Sequence, residues 1–357
     1  TYQKTDSAQL QDSGDLFGLG LPFVQQSRPW ESQFFTQEVR LVSDTDSDFE
    51  WIIGGFFVDR ETDVSFLLEL PGVNDLFCGV LQDDAYFDTR IFTASQEIAG
   101  FADASYQINE QWKLNAGIRV FETEASYNEP NRRVLDFATL DYVSSVLDNN
   151  GTDSNVTWRV GLSYEPSEDA LLYSSVSKGY RIGQVNANSG PSFVDPTDYS
   201  IPEGYESDST INYEVGAKTN WLDGRLTANL AAFYIDWSNI QIDGRRVSDN
   251  RSFVANAGAA KSQGIEFELN AIPTDALSVY TSLTLQDAEI TEVPSNIIIP
   301  AAVGDKLPGL VDFKIAGGFE YGWDAFSDKR MYVRVDGQYV SSSPNSLANG
   351  GTNATFV

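Results

Sequence analysis

The stretch NYEVGAKTNWLDGRLTANLAAFYIDW, residues 212–237, keeps a period of two on both sides of a tight Leu-Asp-Gly-Arg turn. Before the turn, Ile211, Tyr213, Val215, Ala217, Thr219 and Trp221 share a face, opposite Asn212, Glu214, Gly216, Lys218 and Asn220. After it, Leu226, Ala228, Leu230, Ala232 and Tyr234 fall together. Side chains that alternate in this way belong to β-strands, in which successive Cβ atoms point to opposite faces. These strands are about twice the length of an ordinary globular strand, which runs to roughly 5–6 residues.

The same unit recurs along the chain. In 112–120, Trp112, Leu114, Ala116, Ile118 and Val120 oppose Lys113, Asn115, Gly117 and Arg119. In 264–271, Ile265, Phe267, Leu269 and Ala271 oppose Glu266, Glu268 and Asn270, and in 330–339 Met331, Val333, Val335 and Tyr339 oppose Arg330, Arg334, Asp336 and Gln338. Tight turns at 43–48, 109–111, 165–169, 222–225, 273–276 and 324–329 alternate with long polar segments at 60–92, 127–154, 181–208, 239–256 and 288–308. Strict alternation places every tight turn at one end of a sheet and every long connection at the other. Strands of roughly 10–13 residues match the 9–11 that cross a bilayer when tilted. The pattern therefore predicts an all-β, transmembrane antiparallel barrel, with about twelve good strands, a thirteenth in TYQKTD and a fourteenth at the C-terminal end. Trp51, Trp112, Tyr164, Trp221, Tyr280, Tyr321 and Trp323 cluster beside the tight turns, as an interfacial aromatic girdle requires.

Composition narrows the function. Lys plus Arg is 23 and Asp plus Glu is 52, a formal net charge of −29, which argues against a nucleic-acid partner. The acidic balance suits either cation handling or acidic loops in water. With no histidine, triad catalysis and His-based metal sites are removed together. The single cysteine, Cys78, permits no internal disulfide. No run of 18 apolar residues occurs, a fact that leaves β-barrels open.

Local motifs carry little chemistry. DTDSD (44–48) has calcium-loop spacing in its first half, but Phe49 and Gly55 stand where glycine and glutamate are needed, so it reads as a turn. KGYRIG (178–183) lacks the end of a phosphate loop. Glu266 and Glu268 share a face about 7 Å apart, a spacing that a glycosidase could use, yet charges occupy that face throughout, as in a polar lumen. The long segments mix Arg and aromatics with Gly and Pro, as ligand-contacting loops do. Tyr86, Phe87, Arg90, Arg132, Arg133, Tyr180, Arg181 and Tyr205 are the candidate ligand contacts.

At the level of ordered motifs the chain resembles the TonB-dependent outer-membrane receptors. The resemblance lies in YSSVSKGYRIGQVN (173–186), in ESDSTINYEVGAKTNWLDGRLTANLAAFYIDWSNIQI (206–242), and in QEVRLVSDTDSDFEWIIGGFFV (37–58). NAGAAKSQGIEFEL (256–269) and GDKLPGLVDFKIAGGFEY (304–321) extend it over nearly the whole chain. It implies a monomeric barrel of 22 strands in the outer membrane of a Gram-negative bacterium, its lumen filled by an N-terminal plug. Such a receptor contacts outer-membrane lipid, binds a small-molecule ligand, typically a ferric siderophore or other metal chelate, and is energised by TonB acting on the plug. It is not an enzyme and carries no cofactor. Residues 1–357 then form one partial barrel domain, an internal piece of a longer protein without the plug, whose two sheet edges need further strands. A passive outer-membrane pore and a β-rich enzyme acting on glycans are the alternative readings.

Overall fold

The computed structural model describes residues 2–12, 24–43, 47–76, 79, 81, 83–136, 139–187, 189–192, 195–246, 248, 251–256, 258–293, 302–326 and 329–344. It opens with β1 (Tyr2–Asp12), β2 (Val24–Val42), β3 (Phe49–Glu69), the short helix α1 (Val73–Leu76), β4 (Ala85–Gln107) and β5 (Trp112–Asp136). There follow β6 (Asp141–Ser167), β7 (Ala170–Arg181), β8 (Gln184–Val185), β9 (Gly204–Tyr205), β10 (Asp208–Trp221) and β11 (Leu226–Ser238). The last are β12 (Gln241–Arg245), β13 (Ser252–Asn256), β14 (Ala259–Thr274), β15 (Leu277–Glu292), β16 (Phe313–Ala325) and β17 (Lys329–Val340). Thirteen of these strands make one antiparallel sheet in the order β1-β2-β3-β4-β5-β6-β7-β10-β11-β14-β15-β16-β17. Tyr2 to Asp6 of TYQKTD thus lie in a strand, while Thr1, the expected C-terminal fourteenth strand and Cys78 fall outside the described residues.

Register confirms the two faces. Tyr213, Val215 and Ala217 on β10 pair with Tyr234, Ala232 and Leu230 on β11, and Leu230 continues to Phe267 on β14 and then Leu283 on β15. These side chains lie largely uncovered: Val215 is 57% exposed, Ile98 61% and Leu230 49%. A water-soluble sheet packs its apolar face, so an exposed apolar band of this extent marks a surface that meets something apolar. Trp51, Trp112, Tyr164, Trp221, Tyr321 and Trp323 lie on this band beside the tight turns, with Trp112 stacked on Tyr164 at 4.4 Å. Tyr280 departs from the expectation: it projects from the polar face and donates its hydroxyl to Asp336 at 2.5 Å.

The second departure concerns length. β3 to β6 run for 21, 23, 25 and 27 residues, so much of segments 60–92 and 127–154 continues the strands rather than forming loops. Beyond the apolar band these extensions mix polar and apolar residues on both faces, which blurs the alternation that betrays a strand in sequence. Three small clusters of buried apolar side chains sit near the long-connection end. Leu70, Val73, Leu81 and Leu135 form one; Ile201, Phe253 and Ala255 another; Ile240, Ile242, Ala260, Ala288, Ile290 and Leu307 the third.

Candidate functional site

The polar face of β2 to β6 carries cations held by acids on neighbouring positions. Arg119 pairs with Glu97 and lies 5.0 Å above the Phe56 ring, Arg40 pairs with Glu38, and Arg159 pairs with Asp103 at 2.7 Å. Glycines make room for these groups. A Cβ on Gly117 would collide with Asp103 Oδ2, and one on Gly54 with the Phe101 ring.

The eight candidate contacts separate into two groups at the long-connection end. Five belong to β4 and β5. Arg90 pairs with Asp63 and covers Phe92 at 4.6 Å, Arg132 covers Phe87 at 5.6 Å, and Tyr86 packs against the Leu70 cluster. Arg133 reaches Asp83 at 2.9 Å and lies 4.4 Å from the Tyr142 ring centroid. Burial works to raise the Asp83 carboxyl, but the Tyr142 hydroxyl, the Ala85 N–H and Arg133 together hold it below the usual carboxylate range. The other three are on β7 and β9. Tyr180 stacks on Phe121 at 4.1 Å, Arg181 binds Asp208 and covers Trp237 at 4.7 Å, and Tyr205 lies across β8 with its hydroxyl 3.5 Å from Gln184. Burial and the Asp243 charge push the Tyr205 phenol up, against the pull of Arg181.

The connections around the second group are folded. Asn186 is buried, donating to Pro202 O and Val254 O and accepting from Val254 N–H at 2.8 Å. The guanidinium of Arg246, also buried, donates to Gly190 O at 2.8 Å and Tyr199 O at 3.1 Å. Tyr199 packs on Phe253 at 5.1 Å. Segments 182–207 and 239–256 are therefore one packed unit, because buried polar groups are stable only when partnered.

That unit roofs the polar face of β4 to β6. Gly183 N–H and the Ser207 hydroxyl both donate to Asp153 on β6, and Val185 packs close to Gly151. Beneath the roof lie two adjoining cavities. One, of about 240 Å³, is lined by Arg60, Thr93, Ser95, Thr123, Ser126, Tyr127 and Gln184 among others. The second, of about 200 Å³, shares Thr123, Ala125 and Gln184 and adds Asp153, Tyr205 and Glu206. Glu129, 2% exposed, accepts from the Thr89 hydroxyl at 2.6 Å and the Tyr127 hydroxyl at 3.2 Å, and burial with that carboxylate pushes the Tyr127 phenol up. Among the described residues no group of three His, Cys, Asp or Glu is placed to hold a metal ion.

Residues 1–356 match the family model described as TonB dependent receptor-like, beta-barrel. The chain belongs to that family. It is 25% identical over 186 residues to the probable TonB-dependent siderophore receptor PiuA of Acinetobacter baumannii, covering 52% of this chain and 23% of that protein. Over 247 residues it is 26% identical to the metal-pseudopaline receptor CntO of Pseudomonas aeruginosa, covering 67% of this chain and 31% of the relative. The chain thus spans between about a quarter and a third of the length of these curated relatives. Its fold superimposes on the ferric yersiniabactin uptake receptor FyuA of Yersinia pestis with a TM-score of 0.74 at 16% identity, covering 99% of this chain and 49% of FyuA. The crystal structure of the siderophore receptor PiuA gives 0.68 at 18% identity, covering 98% and 52%.

Within this receptor barrel, the roof brings Tyr205 to the cavities, while Arg90, Arg133 and Arg181 are engaged by acids. Sequence reasoning misses Arg60 and Asp153, since segments 60–92 and 127–154 read as loops, and it misses Thr123, which lies just past the alternating stretch 112–120. The usable signal was parity: Arg60 continues the polar-face series of Gly54, Phe56 and Val58.

Proposed function

We propose that this chain is the barrel portion of a receptor in the outer membrane of a Gram-negative bacterium, which imports a scarce nutrient, an iron–siderophore complex or similar metal chelate. The observation that carries the reading is one sheet with an uncovered apolar face, a charged opposite face and a folded roof over the latter. The apolar band meets lipid, the polar face lines a lumen, and the tight turns lie on the periplasmic side. Candidate ligand contacts are Tyr86, Phe87, Arg90, Arg132, Arg133, Tyr180, Arg181 and Tyr205, at the outer mouth. Energy comes from TonB acting through a plug belonging to the full-length protein, which works as a monomer and performs no chemistry on its cargo.

The test is uptake of radioactive iron chelates by cells that carry the full-length protein as their only such receptor. Uptake that stops when TonB is deleted supports the reading. Uptake indifferent to TonB would make the protein a passive pore.

A further inference from the structure

Among the arginines whose side chains are described, Arg60 alone has no hydrogen-bond or ion-pair partner. The others reach carboxylates, carbonyl oxygens or further groups. Arg60 lines the 240 Å³ cavity, and among the described residues no Asp or Glu contributes to that lining. A second group there is also unsatisfied. Thr123, 3% exposed, has a hydroxyl oxygen without a hydrogen-bond partner, and Thr123 lines the same cavity. A buried hydroxyl left unbonded is costly, and a group bound in the cavity that Thr123 lines can supply its partner. Ser95, across the strand pair from Arg60, and Gln184 from the roof add donors.

We infer that this cavity is an oxyanion subsite, which takes a carboxylate of the ligand. The inference rests on the import reading above and names the chemistry of the cargo. A guanidinium offers paired N–H donors to a carboxylate, and charge assistance makes such bonds the strong ones. A single cation balances a monoanionic group, whereas a dianionic phosphate would sit uncompensated in a strongly acidic chain. The adjoining cavity, with Asp153, Glu206 and Tyr205, receives the hydroxyl- or amine-bearing part of the same ligand. The cargo is thus a chelate with at least one carboxylate free of the metal.

The test uses the folded full-length receptor in detergent and two isosteric probes, acetate and acetamide, with binding read by saturation-transfer NMR. Acetate binds and acetamide does not. Arg60→Gln weakens acetate about tenfold or more, Arg60→Lys retains part of the affinity, and Thr123→Val weakens it several-fold. Arg60 holds no hydrogen-bond or ion-pair partner among the described residues, and Thr123→Val is close to isosteric, so these variants keep the heat-modifiable gel mobility of a folded barrel. Equal acetate affinity in wild type and Arg60→Gln, or no acetate binding at all, overturns the subsite. Failure of the import reading looks different: acetate still binds through Arg60 while TonB-dependent uptake is absent.

Discussion

The Asp103 carboxylate and the Arg159 guanidinium meet across a strand that separates them. Asp103 is on β4 and Arg159 on β6, and both pair in register with Gly117 on β5. The guanidinium donates through Nε at 3.0 Å and Nη2 at 2.7 Å, over the space a side chain at 117 would fill. Tyr280 and Asp336 repeat the arrangement over Gly318. Glycine serves here by absence of a Cβ, letting second-neighbour strands interact directly on the polar face.

Gly117→Val should therefore destabilise the barrel by about 1–3 kcal/mol, because Asp103 and Arg159 must give way. Arg159→Gln, which removes a partly exposed pair without crowding, should cost about 0–1 kcal/mol. Thermal or denaturant melting of the full-length receptor, followed by gel mobility, ranks the two. Equal effects would remove the steric account.

Asp208 is fully buried and accepts from the Arg181 N–H at 3.1 Å, from Arg181 Nε at 2.8 Å and from Gln241 N–H at 3.2 Å. Arg181→Leu leaves that carboxylate without its cation and should cost about 3–5 kcal/mol. Pairing it with Asp208→Asn should recover part of the loss. Limited proteolysis between 182 and 256 is the measurement, since this contact joins the roof to β7 and β10.

The Asp83 cluster sets a pH dependence. Its carboxyl titrates below the ordinary value of 3.8 when folded, so its contribution is complete above that value and is lost as pH falls through the lower folded one. Amide exchange at 70–86 and 133–142 should accelerate below about pH 4, from the value just given. Tyr142→Phe, which removes the hydroxyl 2.6 Å from Asp83 Oδ1, should bring the folded value back towards 3.8 and so shrink the acid-induced acceleration. An acceleration of unchanged size would place the sensitivity elsewhere.

Neighbouring positions on β10 should answer oppositely to a charge. Val215→Arg puts a cation on the apolar band and should cost about 2–4 kcal/mol at mid-membrane depth, whereas Asn212→Arg on the polar face should be near neutral. Refolding yield into lipid vesicles separates them. Similar yields would contradict a lipid-facing band.

The alternation of 212–237 is legible residue by residue, and so are the turn at Leu222–Arg225 and the sidedness of the hairpins. The extensions of β5 and β6 are not: residues 141–154 read DYVSSVLDNNGTDS and have no apolar face to reveal a period of two. Tyr280 shows the limit of composition, since an aromatic beside a turn occupies either face and only register tells which.

The sequence by itself determined the strand period, the tight turns and the family, because each depends on residues adjacent in the chain. Tertiary structure alone decided that Arg181 is held by Asp208, that Arg60 has no hydrogen-bond or ion-pair partner among the described residues, and that the described parts of 182–207 and 239–256 fold on each other. Those outcomes depend on pairing between distant residues, such as the Asn186–Val254 bonds that span 68 positions. A side chain's partner is set by register and packing, and neither is a property of its own neighbourhood in sequence.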